Sequence, residues 1–196
     1  MDVSLLRIKN LQFQNMTTRE EYEHIKAYAR IDGAIMGGLW ILSFICFIAQ
    51  FYMPLLSMAS MIIGVVSIIV TAMRLKNFRD NILDGVISYW KAYGYSMLTY
   101  FYAALLMAAA QYIYFQFIDH GFLISQYTAM TSSPEFKSMM TLYGIKAEEM
   151  KLTMDTIASL RPIDVALQFF STNIILGLVI SWPIAALIKS KYKRKF

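Results

Sequence analysis

The stretch Ala34–Met73 reads AIMGGLWILSFICFIAQFYMPLLSMASMIIGVVSIIVTAM and contains no charged residue. A helix needs about 20 mostly apolar residues to cross the hydrocarbon core of a bilayer, so this stretch is long enough for two crossings. Pro54 marks the division, because a proline fits the first turn of a helix, where its missing N–H costs no hydrogen bond. The stretch therefore predicts two spans, Ala34–Phe51 and Leu55–Met73, joined by a tight turn.

The composition of the whole chain agrees with a membrane protein. Of its 196 residues, 58% are hydrophobic and 16% are charged, whereas a soluble domain is about 45–50% apolar and about 25% charged. A chain of this size cannot bury so much apolar surface in one core, and its single cysteine, Cys46, excludes a disulfide framework. Two further apolar stretches, Met97–Ile118 and Val165–Ile188, complete the prediction: an all-α integral membrane four-helix bundle in one domain, residues 1–196.

The basic residues predict the orientation of the bundle. Fourteen of the 18 lysines and arginines lie before the first span, between spans two and three, or after span four. Basic residues of short loops stay in the cytoplasm, so we expect both termini there and residues 119–161 outside. The net charge of +5 then reflects this rule and attraction to anionic lipid headgroups. Membrane lipids are expected partners, and nucleic acid is not.

The segments between the spans carry signals for further helices. Two overlapping capping boxes, begun by Thr17 and Thr18, predict one long helix from about Thr18 to Gln50. Residues 74–87 are interpreted as a short polar connector, after which Ser88 caps the helix of span three. In the outer loop, Ser133-Pro134-Glu135 starts a helix that Gly144 ends. A second, amphipathic helix over residues 146–160 is expected to pack across the outer ends of the spans.

Small side chains recur along the spans and predict close helix packing. A closed four-helix core accounts for every such stripe, whereas a ligand path or a dimer face requires one stripe to stay unfilled. The predicted packing residues are Gly33 and Gly37 in the first helix, Ser57, Ser60, Gly64 and Ser67 in the second, and Gly177 and Ser181 in the fourth.

Signs of chemistry are few. The two histidines, His24 and His120, fall on opposite sides of the predicted membrane, and no metal, phosphate-binding or nucleophile motif occurs. We therefore expect no enzyme activity, no metal and no cofactor. Asp32 is interpreted as a residue at a helix end, paired with Arg30 or solvated, so that no charge lies deep in the spans. This argues against an ion-coupled pump.

One polar strip enters the bilayer from the predicted outer side. Its members recur every four residues along span four and therefore share one face of that helix. This strip is the candidate ligand site of the sequence: Asp164, Gln168 and Thr172.

Several short motifs are similar to those of one bacterial family. They are FRDN at 78–81, GVISYWKAYG at 85–94, YFQFID at 114–119, YGI at 143–145 and EEM at 148–150. Together they resemble the family called domain of unknown function 4199, over roughly Asp32–Lys191. His120 departs from the family pattern, which often has proline there. The resemblance implies a small four-span inner-membrane protein of Gram-negative bacteria. It implies no catalytic residue.

Two functions follow as hypotheses. The first is a non-enzymatic accessory subunit of the bacterial inner membrane, which binds a membrane protein partner or a second copy of itself. The association of family genes with membrane glycosyltransferases implies a role in envelope biogenesis, with lipid-linked glycans as the pathway. The alternative is a small carrier or binder of lipids or lipid-linked substrates, which would use the strip from Asp164 to Thr172.

Overall fold

The computed structural model describes residues 18–144 and 146–190. Within these ranges it contains seven helices and no strand. Four of the helices are long and apolar enough to cross a membrane, which confirms the all-α membrane architecture. The helices are α1 (Thr18–Ala49), α2 (Leu55–Ile82), α3 (Tyr89–Phe117), α4 (Phe122–Thr131), α5 (Pro134–Leu142), α6 (Ala147–Ala158) and α7 (Pro162–Ile188).

Local signals explain where most helices begin and end. The Ser88 hydroxyl accepts a hydrogen bond from the backbone N–H of Lys91 at 3.4 Å, and that of Ser133 accepts one from Phe136 at 3.2 Å. Both are N-cap bonds that satisfy free amides of a first turn, and both serine caps were predicted. Gly144, with φ of +69°, follows the end of α5 as expected. The predicted capping residue Thr17 lies outside the described residues.

The predicted polar connector at residues 74–87 is wrong. Helix α2 continues without a break to Ile82, nine residues beyond the predicted span. The reason is that residues 74–82 contain no proline or glycine and remain amphipathic: Leu75 and Phe78 are buried, while Lys76 and Asp80 are exposed. The true turn follows at Asp84 and Gly85, both of which have positive φ.

The four long helices do not form a closed ring. Helix α1 packs along both α2 and α3, and α3 packs along α7, whereas α2 touches α7 at few residues. Glycines permit the two closest crossings. A Cβ at Gly33 would lie 2.8 Å from the carbonyl oxygen of Thr99, and one at Gly177 would lie 2.6 Å from the Cβ of Tyr100. The bundle is therefore an open arrangement in the order α2, α1, α3, α7.

The two ends of the bundle are fastened differently. At the end near the α2–α3 turn, Arg79 donates to the carbonyl of Ile188 at 2.8 Å, and the Ser190 amide donates to the carbonyl of Ile87 at 3.1 Å. These bonds tie the last turn of α7 to the α2–α3 turn. At the other end, the ring of Phe122 stacks on Tyr52 at 5.5 Å. This contact seats α4 on the α1–α2 turn.

The amphipathic helix predicted at residues 146–160 is α6. It contacts α4, and of the predicted packing across the outer ends of the spans it shows the part over α3 and α7, with which it shares a cavity. Its apolar residues Met154 and Ile157, with Leu160 after its end, line a cavity above α3 and α7.

Candidate functional site

The separation of α2 from α7 leaves a cleft of about 380 Å³ in the side of the bundle. Helices α1 and α3 form its floor. Its lining is largely apolar and includes the rings of Trp40, Phe44 and Phe169. The polar side chains among its lining residues are Ser43, Ser60, Ser67, Tyr100, Gln111 and Asn173.

The cleft extends from the half of the spans nearer the α1–α2 turn and helices α4–α6 to beyond their middle, where Tyr100, Gly177 and Ile180 line it. Ser43 lies six residues before the end of α1, and Gln111 lies six residues before the end of α3. At 1.5 Å per residue, both lie about 9 Å below the helix ends. Both helices qualify as membrane spans. At this depth the open side of the cleft faces the hydrocarbon core of a bilayer that these helices are long and apolar enough to cross.

The polar contacts of α2 explain why the cleft stays open. Ser43 and Ser60 each donate to the other's backbone carbonyl at 2.9 Å, and the Trp40 indole donates to the Ser67 hydroxyl at 3.1 Å. These bonds hold α2 against α1. Gly64, between the two serines, lines the cleft, and a Cβ built there meets nothing within 4 Å. One position of the small-residue stripe of α2 is therefore unfilled.

The floor of the cleft is rigidly built around Tyr100. Its ring stacks on Trp40 with centroids 5.9 Å apart, and the close approach of Gly177 presses against its other side. Tyr100 is 1% exposed. The contact with Gly177 joins α7 to α3 at the floor of the cleft.

Two polar atoms of the cleft are buried without a partner among the described residues, the Tyr100 hydroxyl and the carboxamide oxygen of Gln111. The side chain of Gln111 is 1% exposed, and among the described residues its Oε1 has no hydrogen-bond partner. A buried acceptor without a donor costs about 1–3 kcal/mol relative to a satisfied one. Since most buried polar atoms of folded proteins are paired, an unpaired one needs an explanation.

A second polar cluster corrects the interpretation of Asp32. This residue lies within α1 rather than at a helix end, and it is 2% exposed. Its carboxylate accepts a hydrogen bond from Arg74 Nε at 2.6 Å and another from the Tyr95 hydroxyl. Arg30, the predicted partner, is exposed. The Asp32 cluster, defined as these three bonded residues, therefore joins α1, α2 and α3.

The cluster also removes one argument made from the sequence. A charged carboxylate is buried among the spans, so the reasoning that excluded ion coupling for lack of such a charge no longer holds. Its tight pairing with Arg74 nevertheless gives it a structural role, because a paired charge avoids most of the cost of desolvation. The ring of Phe78 stacks on Tyr95 at 4.7 Å and covers the cluster from α2.

The structure places the predicted strip Asp164, Gln168 and Thr172 away from the cleft. Arg161 binds the Asp164 carboxylate through Nε at 2.8 Å and Nη2 at 2.9 Å, and this carboxylate raises the pKa of Arg161. Gln168 and Thr172 are exposed, and the Thr172 hydroxyl donates to the carbonyl of Gln168 at 2.9 Å. Ligand binding by this strip stays a prediction.

A second cavity of about 430 Å³ lies between α4, α6 and the ends of α3 and α7. We call it the cap pocket. Its walls are mainly aliphatic, and its one carboxylate, Asp119, is already bonded to the backbone amides of Gly121 and Leu123, each at 3.1 Å. Phe169 lines both this pocket and the cleft. The two cavities therefore meet at one side chain.

No group of three or more metal-binding side chains occurs within residues 18–144 and 146–190. Comparison with known proteins then gives one result. The model of a family described as protein of unknown function (DUF4199) matches residues 32–190.

The chain belongs to the DUF4199 family. The matched segment of this DUF4199 chain begins at Asp32 and ends at Ser190, so it includes the Asp32 cluster and every residue of the cleft. No curated protein and no solved structure matches the chain.

Proposed function

We propose that this DUF4199 protein is a non-enzymatic, multi-pass protein of the bacterial inner membrane that binds a lipid or a lipid-linked molecule in the cleft. The observation that supports the proposal most directly is the open position at Gly64 on the membrane-facing side of the bundle. With both termini in the cytoplasm, the end of the cleft at Ser43 and Gln111 lies in the outer leaflet.

The chemistry of the walls favours a hydrocarbon chain as the occupant. Ligand pockets of about 300–1,000 Å³ combine apolar walls with a few polar groups that fix orientation. The cleft has this composition, because the rings of Trp40, Phe44 and Phe169 line it together with six polar side chains. A water-soluble substrate would have to enter through lipid, whereas a lipid chain enters sideways from the bilayer.

The second candidate is an accessory subunit, with envelope biogenesis as its pathway. It is favoured by the same open position, since small residues such as Gly64 let membrane helices approach closely. In that case a helix of a partner protein, or of a second copy, fills the cleft. The two candidate functions thus differ in what fills the cleft: a lipid in the first and a protein helix in the second.

The test is purification of the protein from its host in native-like detergent, followed by mass spectrometry of everything that remains bound. Gly64→Leu places a side chain in the cleft, whereas Gly38→Leu places one on the exposed face of α1, where a Cβ also meets nothing within 4 Å. We expect a lipid species that is lost with Gly64→Leu and kept with Gly38→Leu. A stoichiometric protein that is lost with Gly64→Leu and kept with Gly38→Leu supports the accessory subunit instead. If Gly64→Leu removes neither a lipid nor a protein, both candidate functions are contradicted.

A further inference from the structure

We infer that the molecule bound in the cleft carries a hydroxyl group partway along its hydrocarbon chain, and that Gln111 binds this hydroxyl. The inference rests on the proposed function, because it names the class of lipid that the cleft selects.

The polar groups of the cleft are not equally free to bind a ligand. Ser43 and Ser60 bond to each other, and the Ser67 hydroxyl bonds to Trp40. The Tyr100 hydroxyl is buried without a hydrogen-bond partner among the described residues, and Asn173 is half-buried on α7. Gln111 is the unpaired group nearer the helix ends: its Oε1 has no donor among the described residues, its side chain is 1% exposed, and it lies eleven positions along α3 from Tyr100. A chain that descends from the helix ends therefore reaches Gln111 first.

The chemistry of the Gln111 carboxamide limits which chemical groups can be its missing hydrogen-bond partner. Its oxygen needs a donor, so the ester carbonyls of a lipid, which only accept, leave Oε1 unpaired. Plain methylenes leave it unpaired as well. A hydroxyl donates through its hydrogen and accepts through its lone pairs, so it can satisfy both the oxygen and the NH₂ of Gln111.

The depth of Gln111 places this hydroxyl on the chain rather than on the headgroup. The residue lies six positions before Phe117, the last residue of α3. That is about 9 Å below the helix end. A lipid whose headgroup stays at the level of the helix ends therefore presents the middle of its chain, not its polar end, to Gln111.

A fluorescence competition tests the inference on the intact protein. Trp40 lines the cleft, whereas Trp90 and Trp182 are 72% and 63% exposed, so Trp90→Phe with Trp182→Phe leaves Trp40 as the reporter. The probe is cis-parinaric acid, a fluorescent fatty acid that accepts energy from tryptophan. Stearate and a stearate hydroxylated at mid-chain then compete with the probe.

We expect the hydroxylated chain to displace the probe at a concentration roughly 3- to 10-fold lower than stearate, the effect of one net hydrogen bond. Gln111→Leu should abolish this difference, so that both chains displace the probe at the same concentration. Gln116→Leu, at an exposed position of the same helix, should preserve the difference.

The outcomes separate the inference from the proposed function. Equal displacement by both chains in the parent protein overturns the inference alone, since it shows that Gln111 is satisfied without the ligand. That comparison needs no Gln111 variant to fold. Absence of energy transfer from Trp40 to the probe overturns the proposed function and the inference with it.

Discussion

Asp32 and Arg74 are 42 positions apart in sequence and form an ion pair that joins α1 to α2 inside the membrane bundle. The two partners are unequally buried: the side chain of Asp32 is 2% exposed and that of Arg74 is 36% exposed. The pair is therefore a buried carboxylate held by an arginine that also reaches the surface. The cost of losing each partner should differ accordingly.

Arg74→Met should destabilise the protein more than Asp32→Asn. The first change leaves a carboxylate buried without its counter-charge, which costs about 3–5 kcal/mol. The second leaves an amide that still accepts from Tyr95 and an arginine that can turn to water, so we expect about 1–2 kcal/mol. Thermal denaturation in detergent measures both. Arg30→Met, at an exposed position of α1, is the control, and an equal loss from the two cluster variants would contradict the asymmetry.

The close crossing of α3 and α7 gives a second prediction. Gly177→Ala places a Cβ 2.6 Å from that of Tyr100 and should destabilise the protein by about 1–3 kcal/mol through overpacking. Gly94→Ala in α3 meets nothing within 4 Å and should stabilise it by about 0.5–1 kcal/mol, because alanine favours the helix. The difference in melting temperature between the two variants checks the crossing. Relative to the parent, Gly177→Ala should lower the melting temperature and Gly94→Ala should raise it.

Gln111→Leu should stabilise the ligand-free protein. The change removes an unpaired buried acceptor and keeps nearly the same volume, so the gain is about 1–3 kcal/mol. Such a gain is expected where a residue serves binding rather than stability. The melting temperature after delipidation is the measurement. A fall in melting temperature would show that Gln111 contributes a structural hydrogen bond.

The orientation of the bundle remains to be tested by labelling. In a Cys46→Ala background, Ser132→Cys lies between α4 and α5 and Ser88→Cys lies at the start of α3, and both positions are exposed or border solvent-facing turns. A membrane-impermeant maleimide applied to intact spheroplasts should label Ser132→Cys and not Ser88→Cys. After lysis both should react. The reverse pattern would place the termini outside.

The sequence predicted the features that depend on neighbours along the chain. The four spans follow from apolar runs, and the starts of α3 and α5 follow from Ser88 and Ser133, whose caps act within one turn. The Asp32 cluster was missed because its partner, Arg74, was assigned to a connector rather than to α2. Once α2 is extended to Ile82, a buried pairing of the two becomes a reasonable prediction.

The cleft could not be predicted from the sequence, for a different reason. Each span shows a small-residue stripe, but periodicity does not say which helices are neighbours, so an unfilled position cannot be told from a filled one. Gly33 meets Thr99 and Gly64 meets nothing, although both belong to similar patterns. Gln111 was the available signal, since a glutamine within a span requires a partner that the sequence does not supply.

The bonds of Arg79 to Ile188 and of Ser190 to Ile87 have a mechanical consequence. They hold the last turn of α7 at the α2–α3 turn, and α7 packs along α3, so α7 and α3 can part from α2 only by tilting together about that end. Phe169 lies 19 residues away, a lever of about 28 Å, and a tilt of ~5° moves it by about 2.5 Å. A small rotation at the fastened end thus produces a large change in the width of the opening at Phe169, where the cleft and the cap pocket meet.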